Sequence, residues 1–180
     1  MRINKENTVS LVIDIQERLL PVMDAKEEFL AKTKMLIEGL NELEIHILLT
    51  QQYTKGLGET NGEISQLIKE FSPIEKTSFS CYHEPAFVEA LEEVDAVNVI
   101  ICGIESHVCV LQTAVDLKEA GYHPIVVFDC VTSRKAFDKQ LALERFRYEN
   151  IMVTSCESIL FELTKNAKST PFKAISKIVK

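Results

Sequence analysis

The sequence predicts an α/β fold with three layers, α-β-α, in which two layers of helices enclose a six-stranded, mostly parallel, Rossmann-like sheet. Two observations lead to this prediction. Short runs rich in Val, Ile and Leu recur along the chain, as strands buried on both faces do, and segments with apolar residues at helical spacing lie between them. Strands and helices that alternate in this way require right-handed crossovers, which place helices on both faces of a parallel sheet.

Five strands are predicted from short apolar runs and a sixth from its position. The five runs cover residues 8–13, 45–50, 97–102, 124–128 and 151–154. The sixth covers residues 74–78 and contains Glu75, Lys76 and Thr77, so its spacing from the neighbouring strands supports it as much as its composition does.

Helices are predicted between these strands because apolar residues recur three or four positions apart. The first three patterns run through Phe29, Met35, Leu36, Leu40 and Leu43, then Phe87, Val88 and Leu91, then Val110, Leu111, Ala114, Val115 and Leu117. Two further helices are predicted over residues 136–148 and 157–163. An amphipathic helix over about residues 170–179 ends the chain, and it docks either on its own domain or on a neighbouring subunit.

The composition is that of an ordinary folded domain, and its charge disfavours two classes of partner. Apolar residues make up 46% of the 180 residues, which is enough for one core, so we expect a single domain over residues 1–180. The 27 acidic residues outnumber 20 basic ones, and the net charge of −7 repels nucleic acid and anionic membranes. With no apolar run near the roughly 20 residues of a membrane helix and no secretory signal, we expect a cytoplasmic protein.

Polar residues follow five of the predicted strands, at the sheet edge where ligands bind in open parallel sheets. They are Asp14 and Gln16, then Gln51, Gln52 and Tyr53, then residues 76–79, then 103–109, then 129–134. Among them, Asp14, Lys76 and Cys109 form a coherent chemical set. A thiol is a strong nucleophile only after it loses its proton, and a carboxylate and an ammonium group supply the base and the cation that this requires.

The position of Cys109 near the start of a predicted helix adds to this interpretation, because helix N–H groups lower the pKa of a thiol. The alternative is a buried Asp–Lys ion pair beside a core cysteine. The other cysteines indicate neither a disulfide framework nor a zinc site, since the total of five is odd and no Cys-x-x-Cys pair occurs.

Three stretches of sequence favour the catalytic set over the structural ion pair. Residues 12–16 (VIDIQ), 75–80 (EKTSFS) and 102–114 (CGIESHVCVLQTA) resemble, in order and spacing, the signature motifs of the isochorismatase-like cysteine hydrolases. The similarity runs from Thr8 to about Leu163. Residues 50–58 (TQQYTKGLG) and 129–134 (DCVTSR) look closest to the isochorismatase domain-containing proteins of that superfamily.

The resemblance implies a role for each member of the set: Asp14 as general base, Lys76 as the cation, and Cys109 as nucleophile. It also implies a cis peptide bond between Ile104 and Glu105, with the N–H groups of Glu105 and Cys109 forming an oxyanion hole. The implied reaction is hydrolysis of a small amide or related carbonyl compound through a cysteine thioester, without a cofactor. Members of this family often assemble into dimers, tetramers or larger rings, so we expect a homo-oligomer and favour docking of the last helix on a neighbouring subunit.

Two differences from other members of the family bear on the expected metal and the expected substrate. Metal-dependent nicotinamidases carry histidines after the second strand, and residues 51–58 contain none, so we expect no metal. True isochorismatases usually lack the nucleophilic cysteine, so isochorismate is not the expected substrate.

The substrate pocket is predicted to include Gln16, Gln51, Tyr53, Phe79, Ser106 and Arg134, and it remains equally open that several of these only pack or cap loops. His107 lies two residues before Cys109 and points in another direction on a helix start, so we interpret it as a pocket or interface residue. Two rival functions remain. One is a catalytically silent family member that binds a metabolite or a protein, and the other is a redox role for Cys109, which the lack of a nearby resolving cysteine in the sequence disfavours.

Overall fold

The computed structural model describes residues 2–180. Within this part of the chain, six strands form one sheet in the order β3-β2-β1-β4-β5-β6, and every neighbouring pair is parallel. The strands are β1 (Thr8–Ile13), β2 (Ile47–Gln52), β3 (Ile74–Lys76), β4 (Asn98–Ile104), β5 (His123–Thr132) and β6 (Met152–Thr154). The predicted fold class is confirmed, with a sheet that is parallel throughout.

Eight α-helices lie within the same residues. They are α1 (Lys26–Glu42), α2 (Thr54–Leu57), α3 (Gly62–Ser65), α4 (Pro85–Glu93), α5 (Leu111–Glu119), α6 (Ala136–Tyr148), α7 (Cys156–Thr164) and α8 (Phe172–Ile178). The one-turn helices α2 and α3 are too short to show an apolar period, which is why no pattern predicted them. Over residues 2–180, none of the helices has both the length and the apolar composition needed to cross a membrane.

Two apolar cores hold the three layers together. Helices α1, α7 and α8 cover one face of the sheet, where Leu36 and Leu160 are fully buried. Helices α4, α5 and α6 cover the other face, where Phe87 and Phe146 are fully buried. Strand β1 contributes alternate residues to both cores, with Val12 on the first face, because successive side chains of a strand point to opposite sides.

The last helix packs on its own chain. Ile175 is fully buried in the core beneath α1 and α7, and the ring of Phe172 lies 6.3 Å from that of Phe161, centroid to centroid. The apolar face of α8 is therefore used largely within its own chain, which favours the first of the two expected docking sites, its own domain.

The strand order places a crevice between β1 and β4. The chain leaves β1 through α1 toward β2 on one side, and it leaves β4 through α5 toward β5 on the other. Connections that diverge in this way open a space beyond the carboxyl ends of the two strands, where ligands bind in folds of this class. Asp14 directly follows β1, and Glu105 directly follows β4.

The close approach of β1 and β4 requires a glycine at residue 103. Gly103 has a φ of +132°, and a Cβ at this position would lie 2.7 Å from the backbone nitrogen of Ile13 and closer still to its carbonyl oxygen. Both strands are central in the sheet, so neither can move away without breaking pairs on its other side.

We expect the Gly103→Ala variant to lose about 2 to 4 kcal/mol of unfolding free energy, from backbone strain and from overpacking against Ile13. Urea denaturation would measure the loss. Gly62→Ala is the matched control, because a Cβ there has no heavy atom within 4 Å, and its effect should stay within about 1 kcal/mol. Equal stability of the two variants would contradict the packing argument.

Candidate active site

Asp14 lies at the bottom of the crevice. It adopts a φ of 53°, in the left-handed region, and its side chain is fully buried. The register of β1 and β2 pairs Ile13 with Thr50, and the hydroxyl of Thr50 donates a hydrogen bond of 2.8 Å to Oδ1 of Asp14. The other carboxylate oxygen, Oδ2, lies 2.8 Å from Nζ of Lys76.

Lys76 is the last residue of β3, and its side chain is fully buried. Besides the Asp14 carboxylate, its ammonium group contacts three neutral oxygens: Oε1 of Gln52 at 2.5 Å and the carbonyl oxygens of Ser78 at 3.0 Å and Phe79 at 3.2 Å. These acceptors replace the water that burial removes, which is how a charged lysine can remain inside a protein.

Sequence reasoning gave Thr50 no place in the site, and it put Gln52 at the sheet edge without a role. Both lie in β2, two positions apart, so their side chains point to the same face of the sheet. On that face Thr50 contacts Asp14 and Gln52 contacts Lys76. Thr50, Gln51 and Gln52 are three consecutive polar residues, so the available signal was their place at the carboxyl end of an otherwise apolar strand and not a period.

Burial and charge act in opposite directions on the Asp14–Lys76 pair. Burial raises the pKa of Asp14 above its ordinary value, although the Lys76 ammonium opposes this. Burial also lowers the pKa of Lys76, but the charge and hydrogen bond of Asp14, together with the neighbouring sulfurs of Cys81 and Cys109, outweigh burial, and the net pKa is raised. Lys76 is therefore a cation at neutral pH, beside a carboxyl group with a greater affinity for a proton than an exposed aspartate has.

Cys109 lies in a π-helical turn, Ser106–Val110, which leads from β4 into α5. Its side chain is close enough to interact with both Asp14 and Lys76, and the residue is 8% exposed. The structure therefore brings together Asp14, Lys76 and Cys109, the three residues of the predicted chemical set, which form the candidate triad.

The thiol of Cys109 is neutral at rest. Burial, reinforced by the negative charge of Asp14, raises its pKa to about 12, and the opposing effect of Lys76 is smaller. The expectation that a helix start lowers the pKa of this thiol is wrong, because burial and the facing carboxylate dominate. The Asp14 carboxyl group therefore lies near a neutral thiol and not a thiolate.

We expect the rate at which iodoacetamide alkylates Cys109 to rise about tenfold per pH unit from about pH 7 to about pH 9, without a plateau. A raised pKa means that the thiolate is a minor species throughout this range, and its fraction grows tenfold with each unit. Mass spectrometry of the peptide containing Cys109 would follow the reaction. A plateau near neutral pH would show a preformed thiolate instead.

The residue that precedes the turn is held by its side chain. The Ile104–Glu105 peptide bond is cis, as the family resemblance implies. The carboxylate of Glu105 pairs with the Arg134 guanidinium through Nε at 2.5 Å and Nη2 at 3.4 Å. The carbonyl oxygen of Glu105 accepts hydrogen bonds of 3.1 Å from the N–H groups of Val108 and Val110, which closes the turn.

Two predicted pocket residues prove to be structural supports. The amide of Gln16 donates to the carbonyl oxygens of Gln52 and Gly58, and its oxygen accepts the Gln52 N–H. Gln51 uses its oxygen for the N–H and hydroxyl of Thr60. Both amides are buried and fully engaged, so the structure favours the alternative that they cap loops.

The other four predicted pocket residues divide into two kinds. Tyr53, Phe79 and Arg134 are each exposed. The N–H of Tyr53 donates to the carbonyl oxygen of Lys76, and the carbonyl oxygen of Phe79 accepts from the Lys76 ammonium group. Arg134 pairs with Glu105. Ser106 is fully buried, and its hydroxyl has no hydrogen-bond partner among residues 2–180.

A second cysteine lies close to the triad. Cys81 is fully buried, with Sγ 3.8 Å from the hydroxyl of Thr50, and its pKa is raised to about 12 by burial. It lies 28 positions before Cys109 in the sequence. Its thiol is as firmly protonated as that of Cys109, so neither is a ready target for oxidation.

Within residues 2–180, cavities also occur away from the crevice. In the part of the chain that the structure describes, no group of three or more His, Cys, Asp or Glu side chains is arranged to hold a metal ion. A cavity of about 250 Å³ lies beside His46 and Glu70, and one of about 160 Å³ lies beside Phe128 and Lys139. Neither is lined by a triad residue.

Comparison with known proteins agrees with the motifs. The family model of the isochorismatase domain matches residues 8–158. Isochorismatase family protein 1A of Dictyostelium discoideum is 34% identical, over 96% of this chain and 86% of that protein. Isochorismatase domain-containing protein 2 of Danio rerio is also 34% identical, over 99% of this chain and 89% of that protein. The solved structure of a MAR1 ribonuclease from Caenorhabditis elegans is 34% identical, with a TM-score of 0.93 and coverage of 99% of this chain and 92% of that one.

Proposed function

The chain belongs to the isochorismatase family of hydrolases, and from that premise we propose that it cleaves a small amide or related carbonyl compound through a thioester on Cys109. The observation that carries the proposal is the meeting of Cys109, Asp14 and Lys76 at the crevice between β1 and β4. In this proposal residues 1–180 act as one hydrolase domain, and the reaction uses no metal or cofactor.

The first half of the proposed reaction forms the thioester. Sγ of Cys109 attacks the carbonyl carbon while its proton passes to Asp14. A carboxyl group with a raised pKa is a stronger base than an ordinary aspartate, so it is better able to accept the proton of a neutral thiol. The N–H groups of Glu105 and Cys109 stabilise the negative oxygen of the tetrahedral intermediate. The C–N bond then breaks, and the leaving ammonia or amine takes the proton from Asp14.

The second half releases the product. A water molecule gives a proton to Asp14 and attacks the thioester carbon, the same N–H groups stabilise the oxyanion, and the C–S bond breaks to free the acid. Sulfur then recovers its proton from Asp14. Lys76 keeps its charge throughout, so it stabilises the negative charge that moves between Asp14 and the sulfur.

The groups around the triad suit a small, uncharged substrate. Tyr53 and Phe79 offer exposed aromatic surface and Arg134 offers an exposed polar group, whereas the Ser106 hydroxyl is buried. The Arg134 charge is already balanced by Glu105, so it does not call for an anionic substrate. The relative named as a ribonuclease makes RNA the rival substrate, and we disfavour it here because the chain carries a net charge of −7 and Lys76 is buried.

Two further properties belong to the proposal. We place the protein in the cytoplasm, where its five free thiols remain reduced. We also propose a homo-oligomer, a dimer, tetramer or larger, because Phe137, Leu141 and Tyr148 are exposed by 69%, 43% and 81% and lie along one face of α6. Light scattering of the purified protein would determine the number of subunits.

The test is a hydrolysis screen over primary amides, carbamoyl compounds and cyclic imides, with a short single-stranded RNA as a separate arm. Acid-quenched reactions are digested, and the peptide containing Cys109 is examined for an added acyl mass. We expect turnover of a small compound together with that mass. Turnover without it would overturn the thioester, cleavage of RNA alone would favour the ribonuclease, and inactivity toward every compound would favour the catalytically silent, metabolite- or protein-binding module.

A further inference from the structure

His107 links the turn that carries Cys109 to the segment after β5. Its Nδ1 lies 2.9 Å from the hydroxyl oxygen of Ser133, and its Nε2 lies 3.9 Å from Oδ2 of Asp138. The side chain is 24% exposed, so most of the ring is enclosed by these neighbours. Nδ1 therefore makes a hydrogen bond and Nε2 a longer contact, and both partners belong to one short segment, the end of β5 and the first turn of α6.

The partner of His107 is itself firmly held. Ser133 is fully buried, and its carbonyl oxygen accepts the N–H of Asp24 at 2.9 Å. The preceding residue, Thr132, donates its hydroxyl to the carbonyl oxygen of Asp24 at 2.8 Å. Two hydrogen bonds thus fix the end of β5 to the chain just before α1, and His107 is attached to a rigid support.

The turn needs such support more than an ordinary helix start does. The N–H groups of Val108 and Val110 share one acceptor, the carbonyl oxygen of Glu105, so the Ser106–Val110 turn is wider than an α-helical turn. The side-chain contacts of Glu105 with Arg134, and of His107 with Ser133, attach the start of this turn to the same segment.

We propose that His107 is a positioning residue, whose hydrogen bond with Ser133 holds Sγ of Cys109 against Asp14. The contribution of His107 to turnover rests on the proposed function, whereas its hold on the sulfur does not. Displacing reacting atoms by about 1 Å costs about a hundredfold in rate, so one hydrogen bond that sets their position has an effect well beyond its own strength.

Two measurements test this on the full chain. For His107→Ala we expect kcat to fall about a hundredfold with KM changed less than about twofold, because only the alignment of the sulfur is lost. We expect iodoacetamide to alkylate Cys109 about tenfold faster at pH 8, because a loosened turn exposes the sulfur and weakens its contact with the Asp14 carboxylate. Unfolding would also expose the fully buried Cys102, so its alkylation in the same digest must stay unchanged.

Matched variants distinguish loss of the hydrogen bond to Ser133 from loss of the other contacts of the His107 side chain. His107→Asn places an amide nitrogen or oxygen near the position of Nδ1 and should restore both values to within about fivefold, whereas His107→Gln reaches toward Nε2 and should not. Ser133→Ala should reproduce the changes of His107→Ala, and the double variant should add little, because the two residues share one contact. His46→Ala removes a similar contact, 3.7 Å to Glu70, at the start of β2 and should change neither value.

Each outcome has one meaning. Unchanged alkylation of Cys109 in His107→Ala, or an Asn variant no better than Ala, overturns the proposed role of His107. Faster alkylation with rescue by Asn supports that role even if the natural chain hydrolyses nothing, and in that case the proposed function alone fails. A fall in kcat for His46→Ala that matches the fall for His107→Ala would show that the effect is not specific to the turn, and it also overturns the role.

Discussion

We expect the Cys109→Ala variant to hydrolyse its substrate about 10⁴- to 10⁶-fold more slowly than the natural chain. The thioester is the central intermediate of the proposed reaction, and the variant has no atom that can form it. Asp14, Lys76 and the backbone N–H groups remain, so the small residual rate comes from binding and oxyanion stabilisation alone. Because the thiol is neutral at rest, its removal leaves no buried charge unpaired, and we expect the fold to persist.

The natural control for this variant is Cys102→Ala. Cys102 is a fully buried cysteine of β4, and its thiol interacts with Cys156 rather than with the triad. Removing either sulfur leaves a small cavity of similar size, so the two variants should show similar small losses of stability. We expect Cys102→Ala to keep its kcat, measured on a substrate from the hydrolysis screen. Activity of Cys109→Ala within about tenfold of the natural chain would rule out nucleophilic catalysis by this residue.

The sheet was predictable because its strands are buried on both faces and read as plain apolar runs. Strand β1 begins and ends where predicted, since an apolar run between Asn7 and Asp14 has clear polar limits. Strand β5 reaches Thr132, four residues past its predicted end, because its pairing with β4 shifts register between Ile101 and Gly103. The shift accommodates Asp129 in the strand, and such an irregularity leaves no periodic trace in the sequence.

The candidate site was predictable only where motifs carry it. Asp14, Lys76 and Cys109 lie in three stretches whose order and spacing are specific, whereas no period distinguishes Gln51, which supports a loop, from Gln52, which contacts Lys76. The pKa of Cys109 could not be read from its position at a helix start, because it depends on how completely the neighbouring elements bury the sulfur. Burial at the meeting point of several strands is a tertiary property that local sequence does not contain.

The Lys76→Met variant is expected to lose about 3 to 5 kcal/mol of unfolding free energy, because it leaves the Asp14 carboxylate buried without its cation. Met has nearly the length of Lys and no charge, so the loss reports the missing ammonium more than missing volume. Hydrolysis should fall with it, since the charge on Asp14 and the sulfur is no longer balanced. Urea denaturation at neutral pH would measure the change in stability.

A second substitution identifies the cause of that loss. In the Asp14→Asn, Lys76→Met double variant no charge remains in the crevice, and the Asn oxygen can still accept the Thr50 hydroxyl, so we expect the double variant to be more stable than Lys76→Met alone. The stability of Lys76→Met should also depend on pH, for the same reason. Burial already raises the pKa of Asp14, and loss of Lys76 removes the group that opposes this. The carboxyl group of Lys76→Met therefore binds a proton more readily when the chain is folded than when it is unfolded. The stability deficit should therefore be largest at neutral pH and shrink as the pH falls through the raised pKa. A deficit that is independent of pH, or one that the double variant fails to relieve, would mean that Lys76 stabilises the fold through packing and its three neutral acceptors rather than through its charge on Asp14.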